Sequence, residues 1–182
     1  MTKYTGPGFE PNFSSTTSVV VNRPIKDVFT MIGTAEGYER VSRLSDFCTF
    51  CEAGLTDKVD LPSPHKLSES NVRTLPASTT GLPRLHWKMT ESIPVVFGLA
   101  KFPVHLNGTL TWDEANNIAL YESTTGLILV WKLRVFEEVE GGTRVTETIQ
   151  GKAPFLLRSK VQSDASKGHA EHVSRYPRLF SE

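Results

Sequence analysis

Residues Leu127 to Val139 alternate apolar and polar side chains, Glu140-Gly141-Gly142 reverses the chain, and Thr143 to Gly151 alternates back. Period-two alternation on both sides of a glycine turn specifies a half-buried β-hairpin. Pro154 ends that pattern, and Phe155 to Phe180 changes to a helical period. At about 100° per residue, Leu157, Val161, Ala165, His172, Tyr176 and Leu179 share one stripe. Arg158 and His169 lie at or near it, while Lys160, Ser166, Lys167 and Glu171 point away. Gly168 falls on the inner face, where it costs about 1 kcal/mol of helix propensity and is expected to let the helix approach a sheet closely. An antiparallel sheet with one apolar face needs cover, and one long helix can lie across it. One helix does not fill a strongly bent sheet. The pattern therefore implies a hollow, and a small-molecule ligand before a nucleic acid or a protein groove.

The upstream chain supplies the remaining strands. Thr16 to Val21 has β composition. Asn22 can cap, and Pro24 suits the first turn, of a helix over Ile25 to Ile32 with Ile25, Val28, Phe29 and Ile32 at helical spacing. Gly33 ends it, and a second helix covers Ala35 to Leu44 with Tyr38 and Val41 on one face. Asp46 to Ala53 reads as a strand. Gly54 to Thr80, rich in Pro, Ser and Thr, has no period and reads either as a solvated connection or as a gate over a ligand. Leu85 to Ile93 puts Leu85, Trp87, Met89 and Ile93 on one face with Glu91 among them, and His86 outward. Val104 to Trp112 places Val104, Leu106, Leu110 and Trp112 on its apolar side and His105 on the other. Asn116-Asn117 turns the chain into a strand over Ile118 to Ser123. The expected class is α+β: a curved antiparallel sheet of about seven strands wrapped on a long C-terminal helix. It forms one domain over 16–182, after a flexible N-terminal arm, 1–15.

Charge narrows the partners. Lys plus Arg and Asp plus Glu each number 20, so no general basic field exists to hold phosphates, and no nucleic acid is expected. No run of 18 apolar residues occurs, which argues against stable membrane insertion. Met1 to Phe13 lacks the apolar core of a secretory signal, so the expected location is cytoplasmic. The two cysteines, Cys48 and Cys51, form a CxxC pair inside a strand-like stretch, with Cys48 and Phe50 on one face. No second pair completes a zinc site and no helix start follows, so ordinary reduced thiols are expected. The sequence prescribes neither metal nor cofactor, and allows a monomer or a homodimer.

Two stretches carry a resemblance. Val19-Val20-Val21-Asn22-Arg23-Pro24-Ile25-Lys26-Asp27-Val28-Phe29 is similar to the first strand and "RPxxxVF" helix start of the START-like, or Bet v 1-like (SRPBCC), superfamily. Phe136-Glu137-Glu138 followed by Gly141-Gly142-Thr143-Arg144-Val145-Thr146-Glu147 resembles its late hairpin, which often ends in "GGTRVTE". The likeness spans Thr16 to Phe180 and looks nearest to polyketide cyclase/dehydrase-type members. It implies a helix-grip fold around an apolar pocket and a hydrophobic ligand. It supplies no shared catalytic triad, so any activity inferred from it rests on fold analogy.

The candidate chemistry lies on the expected inner surfaces. Glu91, on an apolar strand face, is a general acid or base if buried, or the partner of Arg84, Lys88 or Arg144. His172 and Tyr176, four residues apart on the helix stripe, can move a proton and polarise a carbonyl, or can simply bond each other in the core. Glu147 lies between Val145 and Ile149 as a fold marker or a ligand contact. Trp87, Met89, Phe102, Leu106, Trp112, Trp131 and His169 complete the expected binding wall. The leading reading is cofactor-free cyclisation, dehydration or rearrangement of a polyketide- or terpenoid-like intermediate, with Glu91, His172 and Tyr176 as the acting groups. The alternative is a non-catalytic carrier or sensor of lipids or hydrophobic metabolites.

Overall fold

The computed structural model describes residues 6–62, 64–95 and 100–181. Strand β1 (Phe13–Val21) leads into helices α1 (Ile25–Gly33) and α2 (Tyr38–Ser42). Six strands follow: β2 (Cys48–Val59), β3 (Leu82–Val95), β4 (Ala100–Asp113), β5 (Ile118–Thr124), β6 (Leu129–Val139) and β7 (Gly142–Lys152). Helix α3 (Arg158–Ser174) is flanked by 3-10 turns at Phe155–Leu157 and Tyr176–Phe180. The seven strands form one antiparallel sheet in the order β1-β7-β6-β5-β4-β3-β2, gripped by α3. This is the helix-grip arrangement expected.

Register fixes which side chains meet. Glu147 faces Arg134; Lys132 lies between Ile149 and Tyr121; Leu110 lies between Tyr121 and Leu85; Met89 faces Leu106. Those residues share the inner face, which α1, α2 and α3 cover. Its core includes Phe29, Ile32, Tyr38, Val41, Trp87, Val173 and Tyr176. Trp87 is locked there: it stacks on Tyr121 at 4.5 Å and on Tyr38 at 5.7 Å. It also lies so close over Gly108 that a Cβ there would meet its ring at 2.5 Å.

The outer face is covered too. Residues 60–62 and 64–81 fold back over it and bury Val59, Leu67 and Val72 against Leu120 and Trp131. Trp131 Nε1 donates to Ser70 O at 2.9 Å, and Val72 N donates to Glu122 Oε2 at 3.1 Å. Arg84 chelates Asp57 through Nε at 2.9 Å and Nη2 at 2.8 Å, and its Nη1 donates to Val72 O and Leu75 O. The segment expected as a loose connection or a gate therefore divides in two. Gly54 to Val59 extends β2, and the rest straps the side of the sheet away from the helices. Apolar residues at irregular spacing, Leu61, Leu67, Val72 and Leu75, do the strapping, which is why no period announced it.

Other boundaries shift for local reasons. β1 begins at Phe13, three residues inside the expected arm, because Asn12 ties Ala153 through bonds of 2.8 and 3.0 Å. Pro7 is buried and Phe9 packs under the strap, while Met1 to Thr5 lie outside the described residues. α1 starts on Pro24 with no side-chain cap, so Asn22 does not serve as one. α2 is shorter than Ala35 to Leu44, and Gly37 just before it lies so close to α1 that a Cβ there would meet Met31 O at 1.8 Å. A bulge between Cys48 and Phe50 breaks the alternation that would have placed them together; Cys48 packs on the core and Phe50 is 50% exposed. Burial, with Cys51 beside it, pushes the Cys48 thiol up to about 11, so it stays protonated near neutral pH.

Candidate functional site

A cavity of about 510 Å³ opens between the inner face and α3. Ile32, Val41, Leu44, Leu110 and Ile149 supply apolar wall. Gly168 lines it as well, and a Cβ built on Gly168 meets nothing within 4 Å. The expected close approach of helix to sheet is thus replaced by open space. Lys160, Lys167 and Glu171, expected to point away, also line the cavity, Lys167 and Glu171 as exposed residues. Leu157, placed on that stripe, is instead 42% exposed in the 3-10 turn before α3.

At the β6 side the cavity meets a buried ionic cluster. Glu147, fully buried, contacts Arg134 directly and accepts a bond from Tyr176 Oη at 2.7 Å. Its other oxygen lies 3.0 Å from His169 Nε2 and 3.4 Å from Lys132 Nζ. Arg134 Nη1 also donates to Ile32 O at 2.7 Å, which ties α1 to the sheet. Burial alone would raise the Glu147 carboxyl, but Arg134 and Lys132 reverse this and hold it well below the usual carboxylate range. Lys132 lies 4.9 Å over the Tyr121 ring, and burial lowers its ammonium despite the neighbouring Glu147. His169 Nδ1 is 3.0 Å from Ser15 Oγ, which fixes the ring against β1.

At the β3 side stands Glu91. Burial raises its carboxyl, and Lys132 and a long 3.5 Å bond from Ser45 Oγ only partly oppose that. His172 lines the same cavity from α3. Burial, with Lys132 and Arg134 nearby, pushes its imidazole down to about 3, so the ring is neutral at physiological pH. Outside, Arg175 joins Asp46 at 2.6 Å and also pairs with Glu171, pinning the loop before β2 to α3.

The expected site residues therefore separate. Glu91, His172, His169 and Met89 line the cavity together. Tyr176 does not: it is fully buried behind the cluster, bonded to Glu147. Glu147 is likewise an anchor for its neighbours and does not line the cavity. Leu106 and Trp112 pack on the inner core beyond it, and Trp87 is sealed between tyrosines. Trp131 belongs to the outer core, one residue out of phase with Lys132, and Phe102 is 65% exposed. Sequence reasoning missed Lys132, Arg134, Tyr121 and Ser45. The signal for the first two was their register opposite Ile149 and Glu147, on the same face as Phe136. Among the described residues, no group of three His, Cys, Asp or Glu side chains could hold a metal ion, and no helix is long and apolar enough to cross a membrane.

Solved structures share this architecture. The Zhui aromatase/cyclase from a Streptomyces species superposes with a TM-score of 0.61 at 8% identity, covering 91% of this chain and 92% of that one. The chain has a Bet v 1-like fold. A Thermus thermophilus protein matches at TM-score 0.56 and 16% identity, over 93% of this chain and 99% of that one. Ara h 8.0201 matches at 0.53 and 12%, over 93% and 98%. No protein-family model matches the sequence, and no curated protein matches it either.

Proposed function

We propose that this protein binds a small, largely apolar molecule in the cavity and promotes its cofactor-free cyclisation, dehydration or rearrangement by proton transfer. One observation carries the reading. A cavity with apolar walls exposes a carboxyl raised by burial, Glu91, together with a neutral imidazole, His172, and an ammonium, Lys132. A carboxylate poised above its ordinary range is a better base for a carbon acid next to a carbonyl. The neutral imidazole can donate a hydrogen bond to the carbonyl oxygen as charge gathers there, and the ammonium favours that charge across a medium poor in water. The walls fold a flexible chain so that its reacting carbons meet. Tyr176 acts at one remove, as a positioning residue that orients Glu147. A protein of the same fold, Zhui, is an aromatase/cyclase, which supports a polyketide-like substrate.

The test is turnover of a linear poly-β-ketone followed by product absorbance. Glu91→Gln is expected to slow it roughly 100-fold or more, with substrate still retained in native mass spectrometry. Full turnover by both Glu91→Gln and His172→Asn would remove the acid–base assignment. One feature favours the carrier reading instead: Glu147, Arg134 and Tyr176 already satisfy one another. Retained lipid with no turnover in the native protein would select it.

A further inference from the structure

The charges at the β6 side of the cavity do not balance. Lys132 and Arg134 bring two cations, and Glu147 brings one anion. Arg134 has the first claim on that anion, through direct contact, and Tyr176 and His169 take further positions around it. Lys132 is the outlying member, 3.4 Å from Glu147 with its ammonium over the Tyr121 ring, and it alone of the two cations has appreciable side-chain exposure, 17% against 4%. Glu91 is the other carboxyl of the buried wall, but β4 and β5 separate its strand from that of Lys132, and no ion pair joins them among the described residues. A cation with half a counterion, facing an apolar void, is a costly arrangement unless something completes it.

We propose that the ligand of this cavity carries a single anionic head, a carboxylate, that pairs with Lys132 while its apolar body lies against Ile32, Val41 and Leu110. The inference rests on the reading of the cavity as a ligand site and names the class of molecule that fits it. A monoanion matches the excess of one positive charge, whereas a dianionic phosphate ester would overshoot it.

Calorimetric titration of the purified protein with decanoate, decanol and decyltrimethylammonium tests this directly. Decanoate is expected to bind roughly tenfold tighter than decanol, and the cation to bind more weakly than either. Lys132→Met should bring decanoate down to the level of decanol while leaving decanol unchanged. Equal binding of acid and alcohol by the native protein would overturn the head-group assignment and leave the cavity reading intact, as would a preference that survives Lys132→Met. Failure of every amphiphile to bind would overturn both. The native series does not depend on any variant, and Lys132→Gln, which keeps a polar atom beside Glu147, replaces the Met variant if that one does not fold.

Discussion

The two faces of this sheet bury charge in opposite ways. On the outer face, Arg84 is spent on Asp57 and on two carbonyls of the strap, and Glu122 receives a backbone N–H from Val72. Asp57 lies on β2 and the two carbonyls lie on the strap, so Arg84 ties the sheet to its cover. On the inner face, Glu147 gathers Arg134, Lys132, His169 and Tyr176, yet the cluster abuts open space and keeps a surplus cation. Buried ionic groups alone therefore do not mark a site in this fold. What distinguishes the inner face is that members of its ionic cluster, Lys132, Arg134 and His169, themselves line a cavity.

Four variants break or sharpen that contrast. Arg134→Met leaves Glu147 fully buried without its closest partner, and urea unfolding is expected to show a loss of about 3–5 kcal/mol. A loss below 1 kcal/mol would mean that Lys132 and His169 suffice, and that the inner cluster has charge to spare.

The second effect is a pH profile. Burial raises the Glu122 carboxyl from 4.5 to about 7, and the Val72 and Arg73 backbone groups only partly oppose this. The folded protein thus holds a proton that the unfolded chain releases at lower pH. Stability should fall as pH rises from about 4.5 to about 7, by roughly 3 kcal/mol, and then level off. Glu147 has the opposite sign: its carboxyl is held low, so its contribution is present above the ordinary carboxylate range and is lost as pH falls below it. Urea midpoints measured between pH 5 and 8 should therefore flatten in Glu122→Gln and keep their slope in Glu147→Gln. An unchanged slope in Glu122→Gln would assign the decline to another group.

The smallest effect comes from α3. Gly168→Ala adds a methyl group into empty space and removes a glycine from a helix interior, so thermal unfolding should show a gain of up to about 1 kcal/mol. A loss would mean that the cavity wall is tighter there than on the outer side of the helix.

Most of the architecture was legible because seven strands and a helix each follow a simple period. The β6–β7 hairpin, the Gly141-Gly142 turn with φ values of 87° and 141°, and the face shared by Leu85, Trp87, Met89 and Glu91 all appear where alternation put them. The site was legible only in part. Alternation says which residues share a face, but choosing the inner set takes a hydrophobic contrast between the two sets. In β6 that contrast misleads: Trp131 and Leu133 are apolar because the strap covers them, while Lys132 and Arg134 on the alternate set face the cavity. Glu91 and His172 were found because each interrupts an otherwise apolar stripe. Lys132 was missed because it does not look like an interruption. The strap itself was hidden because its grip depends on Trp131, Glu122 and Arg84, which are distant in sequence and have no local signature.

Gly168 leaves room in the cavity wall at a single point on the helix. Every heavier residue there would take its volume directly from the occupant, while the strands and the outer strap kept their places. Descendants of this chain could thus trade long guests for short ones by a one-codon change, without renegotiating the rest of the architecture.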